Sequence, residues 1–193
     1  MPESKTSSAV SRRTLVQGAA WAVPAVAFAG AAPAYAASPA VTPAFRLYAY
    51  RSATNGWCAT MRLSTERDGN GTAGDGNVYL CWDNTTTANT FTNVSVTYWI
   101  AEPNITWAAY TGSSCWTVPT STGAKRTQNG VTLYAYKSTL TCAVTAANGR
   151  TCLPEFDWYT PNCVDQISAT WGYHVDWTMN GSAQSWEGFG ALA

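Results

Sequence analysis

Residues 167–180, ISATWGYHVDWTMN, alternate between apolar and polar side chains without a break. Ile167, Ala169, Trp171, Tyr173, Val175, Trp177 and Met179 share one parity; Ser168, Thr170, Gly172, His174, Asp176, Thr178 and Asn180 share the other. A period of two places the two sets on opposite faces of an extended chain, whereas a helix would scatter them round its circumference. The run predicts a long strand with one face on a core, and Gly172 marks the expected bend. NVSVTYWI (93–100) obeys the same rule, with Val94, Val96, Tyr98 and Ile100 on one side and Trp99 on the other. Pro103-Asn104 then reads as a turn leading into a second strand, ITWAAY (105–110).

Between such runs lie RDGNGTAGDGN (67–77), DNTTTANT (83–90), PTSTGAKRTQNG (119–130) and AANGR (146–150), all rich in turn-forming residues. No convincing amphipathic helix separates them, and the polar residues are mainly Thr, Ser, Asn and Gly rather than the Glu, Lys and Arg of surface helices. The expected fold is all-β: a single-domain antiparallel β-sandwich, Ig-like or jelly-roll, over residues 45–193, with 37–44 (ASPAVTPA) as a flexible lead-in.

LYAYRS (47–52) returns as LYAYKS (133–138). Phe45, Leu47 and Ala49 match Val131, Leu133 and Ala135; Cys58, Cys81-Trp82-Asp83 and VSVTYW follow the first copy, and Cys142, Cys163-Val164-Asp165 and ISATW come in the same order after the second. An internal duplication is the expected cause, with Leu47 and Leu133 pointing inward and Tyr48, Tyr50, Tyr134 and Tyr136 outward. The six cysteines, 58, 81, 115, 142, 152 and 163, are an even set, which in an exported chain argues for disulfides. Duplication makes Cys58–Cys81 and Cys142–Cys163 equivalent bridges and leaves Cys115–Cys152; the rival is a local Cys142–Cys152 bridge. Trp57, Trp82 and Trp116 adjoin cysteines and are expected to pack on them in the core.

The first 36 residues read as a leader. A charged stretch precedes a weakly apolar one containing Gln17, Gly18 and Pro24, and Ala34-Tyr35-Ala36 offers an A-x-A site, with cleavage expected at Ala36-Ala37. Ser11-Arg12-Arg13-Thr14-Leu15-Val16 resembles the twin-arginine export signal, and the leader as a whole resembles those of actinobacterial secreted and surface proteins. That resemblance covers the leader alone. It implies a protein working outside the cell membrane, released or held noncovalently to the envelope.

From residue 37 onward there are eight Lys or Arg and ten Asp or Glu, so no basic stripe exists for nucleic acid. No later apolar run approaches the roughly 18 residues of a membrane span. A zinc site is not expected, because no C-x-x-C pair occurs and His174 is the sole histidine. Asp75-Gly-Asn-Val-Tyr79-Leu-Cys81 resembles the D-x-[G/A]-x-Y-x-C stretch of immunoglobulin domains, although Asn77 replaces the small residue and Cys58 lies too close to be the usual partner. Asp68, Asn70, Thr72 and Asp75 have the oxygen-rich look of a calcium loop, but Ala73 and Tyr79 occupy the positions of the required Gly and Glu, so a plain hairpin loop is expected. No metal or cofactor is therefore expected. The Asn-x-Ser/Thr triplets at Asn70, Asn84, Asn93, Asn104 and Asn180 read as by-products of composition.

His174 shares a strand face with Asp176, yet no nucleophile elbow accompanies them. Glu155, Asp157, Asp165, Asp176 and Glu187 could supply a carboxylate pair for glycan hydrolysis. The aromatic load is more suggestive, since nine Trp and nine Tyr follow residue 36. Trp99, Tyr48, Tyr50, Tyr134, Tyr136, His174 and Asp176 are the candidate ligand-binding residues, because exposed rings stack on sugars or cover partners. The expected function is a secreted bacterial binding or structural protein without catalytic activity, its partner a protein or glycan at the cell envelope. A carbohydrate-binding module is the alternative, and a small secreted carboxylate-dependent glycan hydrolase is the third reading.

Overall fold

The computed structural model describes residues 39–54, 58–65, 79–110, 115–164 and 170–191, with the backbone alone at positions 48, 50–54, 58, 190 and 191. Ala40–Ala193 forms one compact unit. Among the described residues there is no helix, and the elements are β1 (Thr42–Arg46), β2 (Tyr48–Thr54), β3 (Cys58–Ser64), β4 (Tyr79–Thr85), β5 (Phe91–Ile100), β6 (Ala108–Ala109), β7 (Thr120–Gln128), β8 (Val131–Thr139), β9 (Gly149–Cys152), β10 (Asp157–Tyr159), β11 (Thr170–Met179) and β12 (Ser182–Ala191). They form three sheets, ordered β1-β4-β9, β2-β3-β10-β6 and β12-β11-β5-β8-β7. Every strand pairing is antiparallel.

The five-stranded sheet is one layer of a sandwich, and the two smaller sheets together face it across a single core. β5 contributes Val94, Val96, Tyr98 and Ile100, and β11 contributes Trp171, Tyr173, Val175 and Trp177, as their alternation requires. The opposing layer supplies Phe45 from β1, Trp82 from β4, Met61 and Leu63 from β3, and Trp158 from β10. One end is a ring cluster: Trp82 stacks on Phe91 at 4.3 Å, and Phe45 meets Trp82, Trp177 and Trp186 edge-on at 5.3, 5.4 and 5.7 Å. At the other end Phe156 packs on Trp116, Trp158 and Tyr98 at 5.3, 5.9 and 6.0 Å. Such offset and edge-on pairs contribute about 0.5–1.5 kcal/mol each beyond the area they bury.

Asparagine shapes the turns. Asn129-Gly130 joins β7 to β8 and Asn180-Gly181 joins β11 to β12, all four with positive φ (50°, 77°, 50° and 81°), the backbone of a tight two-residue hairpin. Asn84, Asn93 and Asn104 also take positive φ. The Asn180 carboxamide accepts a hydrogen bond from the Thr90 amide at 2.9 Å, and the Asn84 carboxamide donates to the Ala40 carbonyl at 3.2 Å. Four of the five Asn-x-Ser/Thr triplets therefore begin at a left-handed residue, Asn84 and Asn93 within strands, Asn180 at a hairpin and Asn104 in an irregular connection, a more specific cause than composition. Asn70 lies outside the described residues.

Several expectations are corrected. Among the described residues Cys81 bridges to Cys152 and Cys115 to Cys142, which excludes the expected Cys58–Cys81, Cys142–Cys163 and Cys115–Cys152 pairs and the rival Cys142–Cys152. Cys81 and Cys152 face each other directly on the paired strands β4 and β9, while Cys115 and Cys142 flank the Trp116–Leu140 bridge, so strand pairing and not repeat equivalence selects the partners. Cys163 is also oxidised. β1 starts at Thr42, inside the stretch read as a lead-in. The segment 119–130, read as turn, is mostly β7. Of ITWAAY only Ala108–Ala109 is strand, because Ile105 and Trp107 are buried as core residues of an irregular connection. Trp82 and Trp116 do lie in the core beside cysteines. Trp57, Ile167, Ala169 and the loop holding Asp68, Asn70, Thr72 and Asp75 lie outside the described residues.

Candidate functional site

Because β5, β8, β11 and β12 alternate, the five-stranded sheet has a second face turned away from the core. Backbone register sets a row across it: Phe189 of β12 opposite Gly172 of β11, Gly172 opposite Trp99 of β5, and Trp99 opposite Ala135 of β8. The adjoining row runs Glu187, His174, Thr97 and Lys137. Asp176 follows two residues beyond His174, and its Oδ1 lies 2.9 Å from His174 Nε2.

Arg126 of β7 organises these residues. Its guanidinium lies 4.3 Å from the centroid of Trp99 and 4.9 Å from that of Phe189, and it forms an ion pair with Glu187. Its Nε and Nη2 are covered and find no hydrogen-bond partner among the described residues, so the ring faces take the place of acceptors. Gly172 makes the room: a Cβ there would come within 2.7 Å of both Arg126 Nη2 and Phe189 Cδ1. β11 runs through Gly172 in unbroken register, and the register shift falls between Asp176 and Thr178, opposite the left-handed Asn93. An exposed ion pair alone contributes about 0–1 kcal/mol, and cation–π contacts at such sites add about 0.5–1 kcal/mol. The stack fixes geometry more than it adds stability. Phe189 remains 52% exposed.

The proposed ligand-binding set divides into three. Trp99, His174 and Asp176 come together on this outer face, although Trp99 is half-buried beneath Arg126 and not an open ring. Tyr134 and Tyr136, expected on the outside, are on the opposite face: they pair with Ile100 and Tyr98, and Tyr136 is a core residue. The Tyr136 hydroxyl donates to the Glu102 carbonyl and accepts from the Ile105 amide, both at 2.9 Å. Burial pushes its pKa up, as it does that of Tyr173, raised to about 12, whose hydroxyl donates to the Phe45 carbonyl at 3.1 Å. Tyr48 and Tyr50 belong to the four-stranded sheet, at register positions opposite Ser64 and Arg62. Their side chains lie outside the described residues.

Sequence reasoning missed Arg126 and Phe189, and named Glu187 only as a candidate carboxylate for hydrolysis. The available signal was the Asn180-Gly181 hairpin: pairing 170–179 with 182–191 across it sets Glu187 beside His174 and Phe189 beside Gly172. Arg126 lies on β7, which carries no alternation of apolar residues and is signalled only by the Asn129-Gly130 hairpin.

The carboxylates considered for hydrolysis do not share one site. Asp157 is fully buried and paired with Arg62, over whose guanidinium the Tyr110 ring lies at 4.5 Å. Glu155 is exposed in the connection between β9 and β10, and Asp176 stands on the outer face of β11. Among the described residues no group of three His, Cys, Asp or Glu side chains is arranged to hold a metal ion.

No family model, curated protein or solved structure matches this chain significantly.

The oxidised cysteines are compatible with an extracellular protein, and among the described residues no helix is long and apolar enough to cross a membrane.

Proposed function

We propose that this is an exported, non-catalytic binding or structural protein that presents the outer face of its five-stranded sheet to a partner at the cell envelope. The observation that carries the reading is the Trp99–Arg126–Phe189 stack. Rings, guanidinium and the Glu187 carboxylate are locked together on a rigid sheet, and the outermost ring is open to solvent. A preorganised aromatic and cationic patch loses little side-chain freedom on binding, which is what a recognition surface requires. The leader and the disulfides support export. The direct test is sedimentation with purified envelope and cell-wall polysaccharide. Retention of the protein, weakened about tenfold or more by Phe189→Ser, is expected, since a central ring in an interface contributes about 2 kcal/mol or more. Equal retention of both proteins overturns the reading.

Carbohydrate recognition is the second reading. It is favoured by the exposed rings of Phe189 and Tyr110, 52% and 56% accessible. Trp99 no longer supports it, because Arg126 occupies a face of its indole. A glycan array on Phe189→Ala and Tyr110→Ala separates the two rings, and an array without hits removes this reading.

A further inference from the structure

The three sheets have six edges, and five are guarded. β6 has two residues and β9 four. β1 has five and carries Pro43, β2 has Arg51 at its middle, and β7 combines Lys125 and Arg126 with a register shift between Ser121 and Lys125. Shortness, proline, cations and bulges are the usual devices by which an edge avoids pairing with another chain. β12 has none of them. It runs for ten residues, SAQSWEGFGA, in continuous register with β11 from Met179↔Ser182 to Thr170↔Ala191, and Glu187 is its single charge. No described strand pairs with its other side.

We infer that β12 pairs antiparallel with β12 of a second copy of this chain, about a twofold axis at Trp186. A twofold axis normal to the sheet keeps each face continuous, so only residues of equal parity can meet. Centred on Trp186, the pairing sets Glu187 against Ser185 of the other copy and keeps the two Glu187 carboxylates apart, whereas centring on Glu187 would oppose them. It sets the small Ala183 against Phe189 of the other copy, so the ring has room at the seam. It also brings together the two Trp186 side chains, which are half-buried at the rim of each core against Phe45 and Tyr173. Two five-stranded sheets become one of ten strands, with the Trp99–Arg126–Phe189 stacks on a shared face. The inference rests on the strand edges and not on the binding role proposed above, so either can fail alone.

The experiment is analytical ultracentrifugation of the purified protein from low to high micromolar, alongside Ala183→Glu and Ala183→Lys. Ala183 is exposed and faces the neutral Thr178 within its own chain, so both variants keep the monomer fold. In the proposed register, glutamate meets the Phe189 ring and lies diagonal to Glu187 of the other copy. Lysine meets the same ring as a cation and lies diagonal to the same carboxylate. A concentration-dependent dimer is expected, weakened about tenfold or more by Ala183→Glu and kept or tightened by Ala183→Lys, because each change occurs twice across the axis. A protein monomeric at every concentration overturns the inference. A dimer indifferent to both substitutions overturns it as well, by moving the contact elsewhere.

Discussion

The letters LYAY occur at 47–50 and again at 133–136, and the two copies face opposite ways. In the first, Ala49 is buried in the sandwich core and Leu47 packs against it. In the second, Tyr136 enters the core and Tyr134 packs at its margin, while Leu133 and Ala135 are buried on the other side of the sheet, in the row that holds Trp99. Neighbours account for the difference. β2 is the edge strand of the four-stranded sheet, whereas β8 lies between β5 and β7 under a second apolar layer. A strand whose two parities are both apolar does not encode which face is inward; tertiary packing decides. The copies are also stapled differently, since Cys81 bridges to Cys152 and Cys142 to Cys115. Nothing in the topology makes the two halves equivalent.

The comparison breaks most sharply at Tyr136. Replacing it by alanine removes a buried ring and the hydrogen-bond partner of the Ile105 amide, so urea unfolding should show a loss of about 3–5 kcal/mol. Tyr136→Phe keeps the ring and should cost about 1–3 kcal/mol through the unpaired amide. If either substitution proves neutral, the second copy faces outward after all. Next come the matched leucines. Leu133 is fully buried and Leu47 only half-buried. Leu133→Ala should therefore cost about 2–4 kcal/mol and Leu47→Ala about 1 kcal/mol. A reversed order would restore the equivalence that the repeated letters suggest.

Alkaline pH probes the same inward face. Burial raises the pKa of Tyr98, Tyr136 and Tyr173 above the ordinary value of 10.0, that of Tyr173 to about 12. The folded state thus favours the neutral phenols, and the stability this contributes is complete below pH 10. It is lost as the pH rises from 10 through the folded-state values, because the unfolded chain sheds these protons first. Unfolding midpoints should hold level up to pH 9 and fall between pH 10 and 12. Tyrosinate absorbance of the native protein at pH 11 should stay well short of the unfolded value. Full ionisation at pH 11 without unfolding would contradict the burial.

Much of the fold was legible because two of its three longest described strands alternate strictly: 94–100 and 171–179 lie where the pattern put them, inward faces included. The sandwich follows from those two strands and from the turn-rich segments. β7 was hidden because its residues, TSTGAKRTQ, are almost all exposed, so no apolar parity marks it, and only the Asn129-Gly130 hairpin signals that a strand precedes β8. The disulfides were not legible, since connectivity depends on which strands become neighbours, and β4 meets β9 across a separation of 71 residues. Half of the candidate site was visible, as Trp99, His174 and Asp176 occupy the polar parity of strands that were identified. Arg126, Phe189 and Glu187 reach it from β7 and β12, strands without apolar alternation that only their Asn-Gly hairpins signal.

The smallest expected effect tests whether the outer face is a built structure or a loose surface. Gly172 and Ala135 flank Trp99 in one row and are its smallest members. If the Arg126 guanidinium is held between rings because Gly172 leaves a well, then Gly172→Ala fills that well with a methyl group. The atoms it meets are the ends of Arg126 and Phe189, which can swing away, so the stability loss should be only about 1 kcal/mol. The geometry should change more than the stability. With Arg126 displaced, Trp99 should become accessible to a fluorescence quencher and its indole resonance should shift, while the core tryptophans on the inward face stay unchanged. Arg126→Ala should reproduce the Trp99 exposure without touching the backbone, since it removes the cover directly. Agreement between the two variants would show that a missing side chain on β11 and a long one on β7 form a single device. If Trp99 answered Arg126→Ala but not Gly172→Ala, the glycine would be incidental and the stack would owe its geometry to the rings alone.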